Sequence, residues 1–215
     1  MDKKTALTQF HKETISSVAE ELFQDNGYEK TTVDDIAKAA DYSKATLYVY
    51  FKSKEEIKHY IVLNAMKLML DKITAGINTD KDAFLQYRAI CQEMTAFSSE
   101  RPYSFQSLIE TIRIDERYRK ENPVLEEIYQ VGEGINDKIA EVLQNGIQQN
   151  LLRDDIDCLP AGFFFWAAIS GVIQIATNKA EYIADRMKMS PQDYLDFSFT
   201  ILFRSVLKEG VQYDG

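Results

Sequence analysis

Residues 31 to 51 read TTVDDIAKAADYSKATLYVYF, and the spacing inside this stretch decides how the chain is organised. Val33, Ile36, Ala37 and Ala40 recur at helical intervals and give a first short helix one apolar side. Thr32 precedes it and Asp35 follows three residues on, a pairing in which hydroxyl and carboxylate satisfy N–H groups left free at a helix start. After a turn of about three residues a second short helix begins near Ser43. Its Leu47 and Phe51, four apart, can seat it on the first helix, while Lys44 and Tyr48, also four apart, can face outward together. Two short helices joined in this way have the layout of a helix-turn-helix.

Outward from this stretch the pattern stays helical. Ser53-Lys54-Glu55-Glu56 opens the next helix, with Ser53 and Glu56 spaced as a capping box and the helix dipole adding to the Lys54 charge. Upstream, Ile15, Val18, Ala19, Leu22 and Phe23 repeat at helical spacing, as do Val124, Ile128, Val131, Ile135, Ile139 and Val142 further on. Pro102, Pro123, Pro160 and Pro191 fall between such stretches, where proline can open a helix. Asn122 and Ser190 stand directly before two of them as N-caps, and Ser190 with Asp193 matches a second capping box. No sustained strand-like alternation occurs. The expectation is an all-α chain of about nine helices, roughly at 8–26, 32–39, 43–50, 54–76, 81–98, 102–113, 123–149, 160–178 and 191–209.

Composition narrows the function. The 215 residues are 45% hydrophobic and 27% charged, with a net charge of −9, so contact with a polyanion must rest on a local patch. Residues 43 to 54 form one: Lys44, Lys52 and Lys54 with no acid among them. Cys91 and Cys158 are far apart, with no ligand set around either, so neither a disulfide framework nor a metal site is expected. The N-terminus lacks the apolar core of a signal peptide, and the chain reads as cytoplasmic. Residues 161 to 177 are apolar but shorter than the roughly 20 residues a span needs and contain Ser170 and Gln174, which favours a helix buried on most sides over a membrane segment. The only histidines, His11 and His59, lie near the start of the chain, and no glycine-rich phosphate loop or zinc-protease motif occurs. Neither an enzyme nor a cofactor is expected.

Spacing alone leaves open any compact helical hairpin with an exposed lysine. The residues themselves go further. Thr31-Thr32-Val33, the Ile36-Ala37 pair, and Ser43-Lys44-Ala45-Thr46-Leu47-Tyr48 closing on Tyr50-Phe51-Lys52-Ser53-Lys54 closely resemble the DNA-binding domain of the TetR family of bacterial transcriptional regulators. The stretch from Phe23 to Tyr28 resembles the end of that family's first helix and its turn. About 50 residues carry the likeness by motif; beyond them only helix number and length agree.

The resemblance implies a three-helix DNA-binding head over residues 1–53 and a helical effector-binding and dimerisation domain over 54–215. It implies DNA contacts by Thr32, Ser43, Lys44, Ala45, Thr46, Tyr48, Tyr50 and Lys54. Lys44 can reach guanine acceptors, Ala45 or the Thr46 methyl can meet a thymine methyl, and Tyr48 with Lys54 can hold phosphates. Tyr50 stands where many relatives carry His, and Val33 where some carry a basic residue. The apolar helices at about 160–178 and 191–209, the latter with Leu195, Phe197, Phe199 and Ile201, would pair with a second copy, the alternative being that both are internal core of a monomer. A pocket is implied too, and Tyr103, Phe105, Tyr129 and Trp166 beside Glu93 or Glu110 could line it for a small hydrophobic effector, cationic or not. The expected function is a repressor released from a palindromic double-stranded operator by such an effector; the alternative is a helical interaction protein of the same fold that no longer binds DNA.

Overall fold

The computed structural model describes residues 2–77, 82–110 and 115–211, Tyr118 without its side chain. Eleven α-helices follow one another among these residues: α1 (Lys3–Asn26), α2 (Val33–Ala39), α3 (Lys44–Tyr50), α4 (Lys54–Gly76), α5 (Ala83–Glu100), α6 (Pro102–Ile109), α7 (Glu116–Glu121), α8 (Pro123–Gln148), α9 (Cys158–Asn178), α10 (Ala180–Tyr182) and α11 (Pro191–Arg204). A π-helical turn, Ile183–Met187, separates the last two. The all-α expectation holds: among the described residues no strand forms, and a single antiparallel bridge joins Leu152 to Leu207.

The two helices beyond the expected nine are short. Residues 116–121, between the helices expected at 102–113 and 123–149, form α7. Lys120 meets Glu116 at 2.6 Å and Arg117 meets Glu121 at 3.7 Å, each pair four residues apart on one face. Residues 111–114, which hold the end of the helix expected over 102–113, lie outside the described residues; α6 itself ends at Ile109. Helix α9 starts at Cys158, ahead of Pro160, because the Asp157 carboxylate accepts from the Leu159 N–H. Helix α11 stops at Arg204 because the chain beyond it pairs elsewhere: the Arg153 N–H donates to the Val206 carbonyl at 3.1 Å and the Lys208 N–H to the Leu151 carbonyl at 3.0 Å.

Two of the expected caps lie ahead of prolines and are present. Ser190 accepts from the Asp193 N–H at 3.0 Å while the Asp193 carboxylate accepts from the Ser190 N–H at 3.2 Å. Asn122 Oδ1 accepts from the Val124 N–H at the start of α8.

Packing divides the chain into two compact units, Met1–Lys67 with Arg101–Val131, and Leu68–Glu100 with Gly132–Gly215. The border falls inside α4, whereas the expected division of labour at residue 53 concerns function. In the first unit Ile15, Ala19 and Phe23 of α1, Ile36 and Ala37 of α2, Leu47 of α3, Phe51, and Ile57 and Ile61 of α4 form one buried cluster. Each fully buried large side chain there stabilises by about 1.5–3 kcal/mol relative to exposure. Arg101, directly before α6, and Ser104 within it both reach the Glu20 carboxylate on α1. In the second unit the core joins α5, α8, α9 and α11, with the Tyr87 ring centroid 5.5 Å from Phe165 and 5.1 Å from Phe203.

Helices α9 and α11 each present apolar groups on two sides. Phe165, Ile169 and Ile173 of α9 and Leu195, Phe199 and Phe203 of α11 are buried. Phe163, Phe164, Phe197 and Ile201 are each more than half exposed. Helix α9, at 21 residues, is longer than the apolar stretch expected and is long and apolar enough to cross a membrane by length and composition, yet only 28% of its 18-residue apolar window is buried, against an expectation of burial on most sides. That apolar surface is left uncovered by the described residues.

Candidate nucleic-acid interface

The helix-turn-helix is built from its caps inward. Thr32 Oγ1 accepts from the Asp35 N–H at 3.2 Å, and the Asp35 carboxylate accepts from the Thr32 N–H at 2.9 Å. The Thr32 hydroxyl also donates to that carboxylate at 2.6 Å, and this bond first, then the one from the Thr32 N–H, holds the Asp35 carboxyl below the usual carboxylate range. After α2 the chain reverses through Asp41 at φ 59°, a left-handed conformation that aspartate tolerates better than most residues. Ser43 then caps α3: its Oγ accepts from the Thr46 N–H at 3.0 Å and lies 2.8 Å from Thr46 Oγ1. Leu47 and Phe51 are buried and seat α3 on the head, as their spacing implied.

That seating leaves Ser43, Lys44, Ala45, Tyr48 and Val49 exposed together, with Thr46 half-buried. Lys44 Nζ lies 2.9 Å from an Asp34 carboxylate oxygen, with the two side chains 52% and 64% exposed. The hydrogen bond to Asp34, followed by its charge, raises the ammonium pKa, so Lys44 stays cationic. An ion pair this exposed is weak, and a guanine acceptor or a phosphate can compete for the ammonium.

Tyr50 and Lys54 are placed differently. Tyr50 is half-buried, its ring 4.9 Å from that of His11 on α1, and His11 Nδ1 is 2.6 Å from Tyr42 Oη. Lys54 Nζ donates to the carbonyls of Tyr28 at 2.7 Å and Thr31 at 3.0 Å and sits 4.2 Å from the Tyr28 ring centroid. Two of its N–H groups therefore tie the α1–α2 loop to the start of α4. Gly27 makes that loop possible, at φ 84°, a conformation side chains rarely adopt. The Ser53 box forms with a one-residue offset: Ser53 Oγ accepts from the Glu56 N–H at 3.1 Å, but the Glu56 carboxylate reaches back to the Lys52 N–H at 2.6 Å.

Thus Ser43, Lys44, Ala45, Thr46 and Tyr48 share α3 and its cap, Thr32 caps α2, and Tyr50 and Lys54 are engaged in the head's own packing. Two further candidates escaped the reading of the sequence. Val49 was legible, standing four residues after Ala45. Asp34 was not, because its pairing with Lys44 crosses from one helix to the next.

The six candidate effector residues are divided between the two units. Tyr103, Phe105, Glu110 and Tyr129 belong to the first unit and Glu93 and Trp166 to the second. Tyr103 packs 5.5 Å from the Phe23 ring, and Phe105 is buried. Tyr129 lies under the Arg119 guanidinium, 3.7 Å from the ring centroid. Each acid already has a base: Glu110 meets Lys58 at 2.7 Å and Glu93 meets Lys72 at 3.0 Å. Within the second unit a cavity of about 10 Å³ is lined by Tyr87, Ile90, Ile139, Val142, Leu143, Leu152, Phe165, Ile169 and Phe203, none of them from that set.

Comparison with known proteins bears on this geometry. Residues 15–61 match the family described as bacterial regulatory proteins, tetR family. A 60-residue stretch is 40% identical to IcaR, the negative transcriptional regulator of the biofilm operon of Staphylococcus epidermidis, and spans 28% of this chain and 32% of that relative. YfiR of Bacillus subtilis, an uncharacterised helix-turn-helix regulator, is 25% identical over 195 residues, 83% of this chain and 88% of its own. The structure of SmeT in complex with triclosan superposes with a TM-score of 0.65 at 20% identity, covering 95% of each chain, a likeness of fold. Residues 15–61 thus carry the helix-turn-helix module of the tetR family of bacterial regulatory proteins, and the all-helical remainder has a fold like that of SmeT.

Proposed function

We propose that this chain is a homodimeric DNA-binding transcriptional regulator, acting as a repressor in the cytoplasm, with residues 1–53 as the DNA head and 54–215 for effector binding and dimerisation. The observation that carries the reading is the outward row of α3, where Lys44 and Tyr48 stand exposed beside Ala45 on a helix capped by Ser43. Such a helix fits the major groove, with Lys44 reaching guanine and Thr32, Ser43, Thr46, Tyr48, Tyr50 and Lys54 positioning the head on phosphates or bases. IcaR, a negative regulator by name, supports repression.

The exposed apolar sides of α9 and α11 support pairing with a second copy, which would present two heads to a palindromic operator. The wholly apolar cavity in the second unit supports a hydrophobic effector, as does the triclosan complex of SmeT. Its lining holds no carboxylate, and Glu93 is already paired with Lys72, so a neutral effector fits better than a cation. Ligand pockets usually measure a few hundred Å³, so an effector must push side chains apart to enter. Displacement of that core, transmitted along the continuous α4, is the means of release.

Selection of the full-length protein on random duplex DNA, repeated across salt concentrations, tests the proposal. A two-fold symmetric sequence with steep salt dependence is expected. Folded protein that enriches no sequence at low salt would favour an interaction protein of the same fold.

A further inference from the structure

Beside the row formed by Lys44 and Tyr48, α3 carries a second exposed row, Ala45 and Val49, four residues apart. Val49 is 76% exposed, more than any other large apolar side chain among the described residues. Nothing in the packing of the head accounts for it. Leu47 and Phe51 do the seating, and a β-branched residue on an open helix face loses rotamer freedom without gaining contacts. Along the sequence the row is flanked by exposed Lys44 and Lys52 with no acid from residue 43 to 54, while Asp34, paired with Lys44, and Asp41 lie on the side of α2 and the turn. An apolar row flanked by lysines suits a groove walled by phosphates better than an apolar protein face.

The floor of the major groove offers one apolar group, the 5-methyl of thymine. Side chains four apart on a helix lie about 5–6 Å from each other, which spans about two base-pair steps. We propose that Ala45 and Val49 form a strip that reads thymine methyl groups, and that Val49 sets the preference for T·A over C·G at one position of each half-site. The inference rests on the DNA-binding reading and names the base that this helix selects.

The test uses the full-length protein and the operator recovered by random selection, with each thymine replaced in turn by deoxyuridine, which lacks only the methyl. The wild type should lose about fourfold in affinity per contacted methyl, at one or two positions in each half-site. Val49→Ala should lose that sensitivity at one of these positions and keep it at the others, while melting at an unchanged or higher temperature. Val49→Thr, which retains the branch and one methyl, should keep part of it. Indifference of the wild type to every uridine, or full sensitivity of Val49→Ala at every position, would overturn the inference while leaving DNA binding intact. Failure of the wild type to recover any operator would overturn both.

Discussion

Lys44 on α3 and Asp34 on α2 are joined by a 2.9 Å ion pair across the helix-turn-helix, so the lysine proposed to reach guanine is held by an acid of its own head when DNA is absent. On that proposal, binding exchanges this partner for a base. An exposed pair of this kind costs little to break, and its carboxylate would then face the negative duplex.

The two residues should therefore act in opposite directions. Lys44→Ala is expected to weaken operator binding roughly tenfold and to relax preference at one base position. Asp34→Asn should tighten binding to operator and to unrelated duplex alike, by removing a like charge. Titrations against both duplexes check this, and weaker binding by Asp34→Asn would contradict it.

Lys54→Ala should affect fold and binding together. Loss of the two bonds to the Tyr28 and Thr31 carbonyls is expected to cost about 1–2 kcal/mol of stability in urea unfolding. Binding to all duplexes should fall by similar factors, with the salt slope shallower by about one. Loss of sequence preference at a single position would instead place Lys54 against a base.

Alkaline pH should weaken the second unit before any exposed group matters. Burial pushes the Cys91 thiol up to about 12 and raises the Tyr87 hydroxyl well above its ordinary value. The folded chain keeps these protons where the unfolded chain releases them. The stability they represent is therefore complete below about pH 9 and is lost as pH rises from there through 12. Melting temperature measured from pH 8 to 11 should decline accordingly, and a thiol reagent at pH 8 should label Cys158 but leave the buried Cys91 untouched until denaturant is added.

Phe164→Glu, on the exposed side of α9, and Ile201→Glu, on that of α11, should each yield a folded monomer by light scattering, against the dimer proposed for the unaltered protein. Helical content should be unchanged, because neither side chain belongs to the buried core. A dimer that survives both substitutions would move the interface elsewhere.

Gly146→Ala should destabilise the chain despite alanine's better helix propensity. A Cβ at this position would lie 2.6 Å from the side chain of Leu152, itself buried, and 3.0 Å from Ala83 Cβ. Overpacking of this sort costs about 1–3 kcal/mol. An unchanged unfolding midpoint would mean that Leu152 can move aside.

The elements of this protein were legible because their signals are local. Thr32 with Asp35, Ser43 with Thr46 and Ser190 with Asp193 are neighbours in sequence that cap one helix each, and the Leu47–Phe51 spacing declares which side of α3 turns inward. The two-sided apolar character of α9 and α11 was written in their composition in the same way. What each charged side chain does was settled only by folding. Lys44 found Asp34, Lys54 found two loop carbonyls, and Glu93 and Glu110 found lysines distant in sequence. The immediate neighbours of the aromatics were likewise set by folding: Tyr103 packs on Phe23, Tyr129 lies under Arg119 and Phe105 is buried. Caps and helical faces depend on residues within a turn or two of one another, whereas ion pairs and cavities depend on which helices meet, and that is decided by the packing of the whole chain.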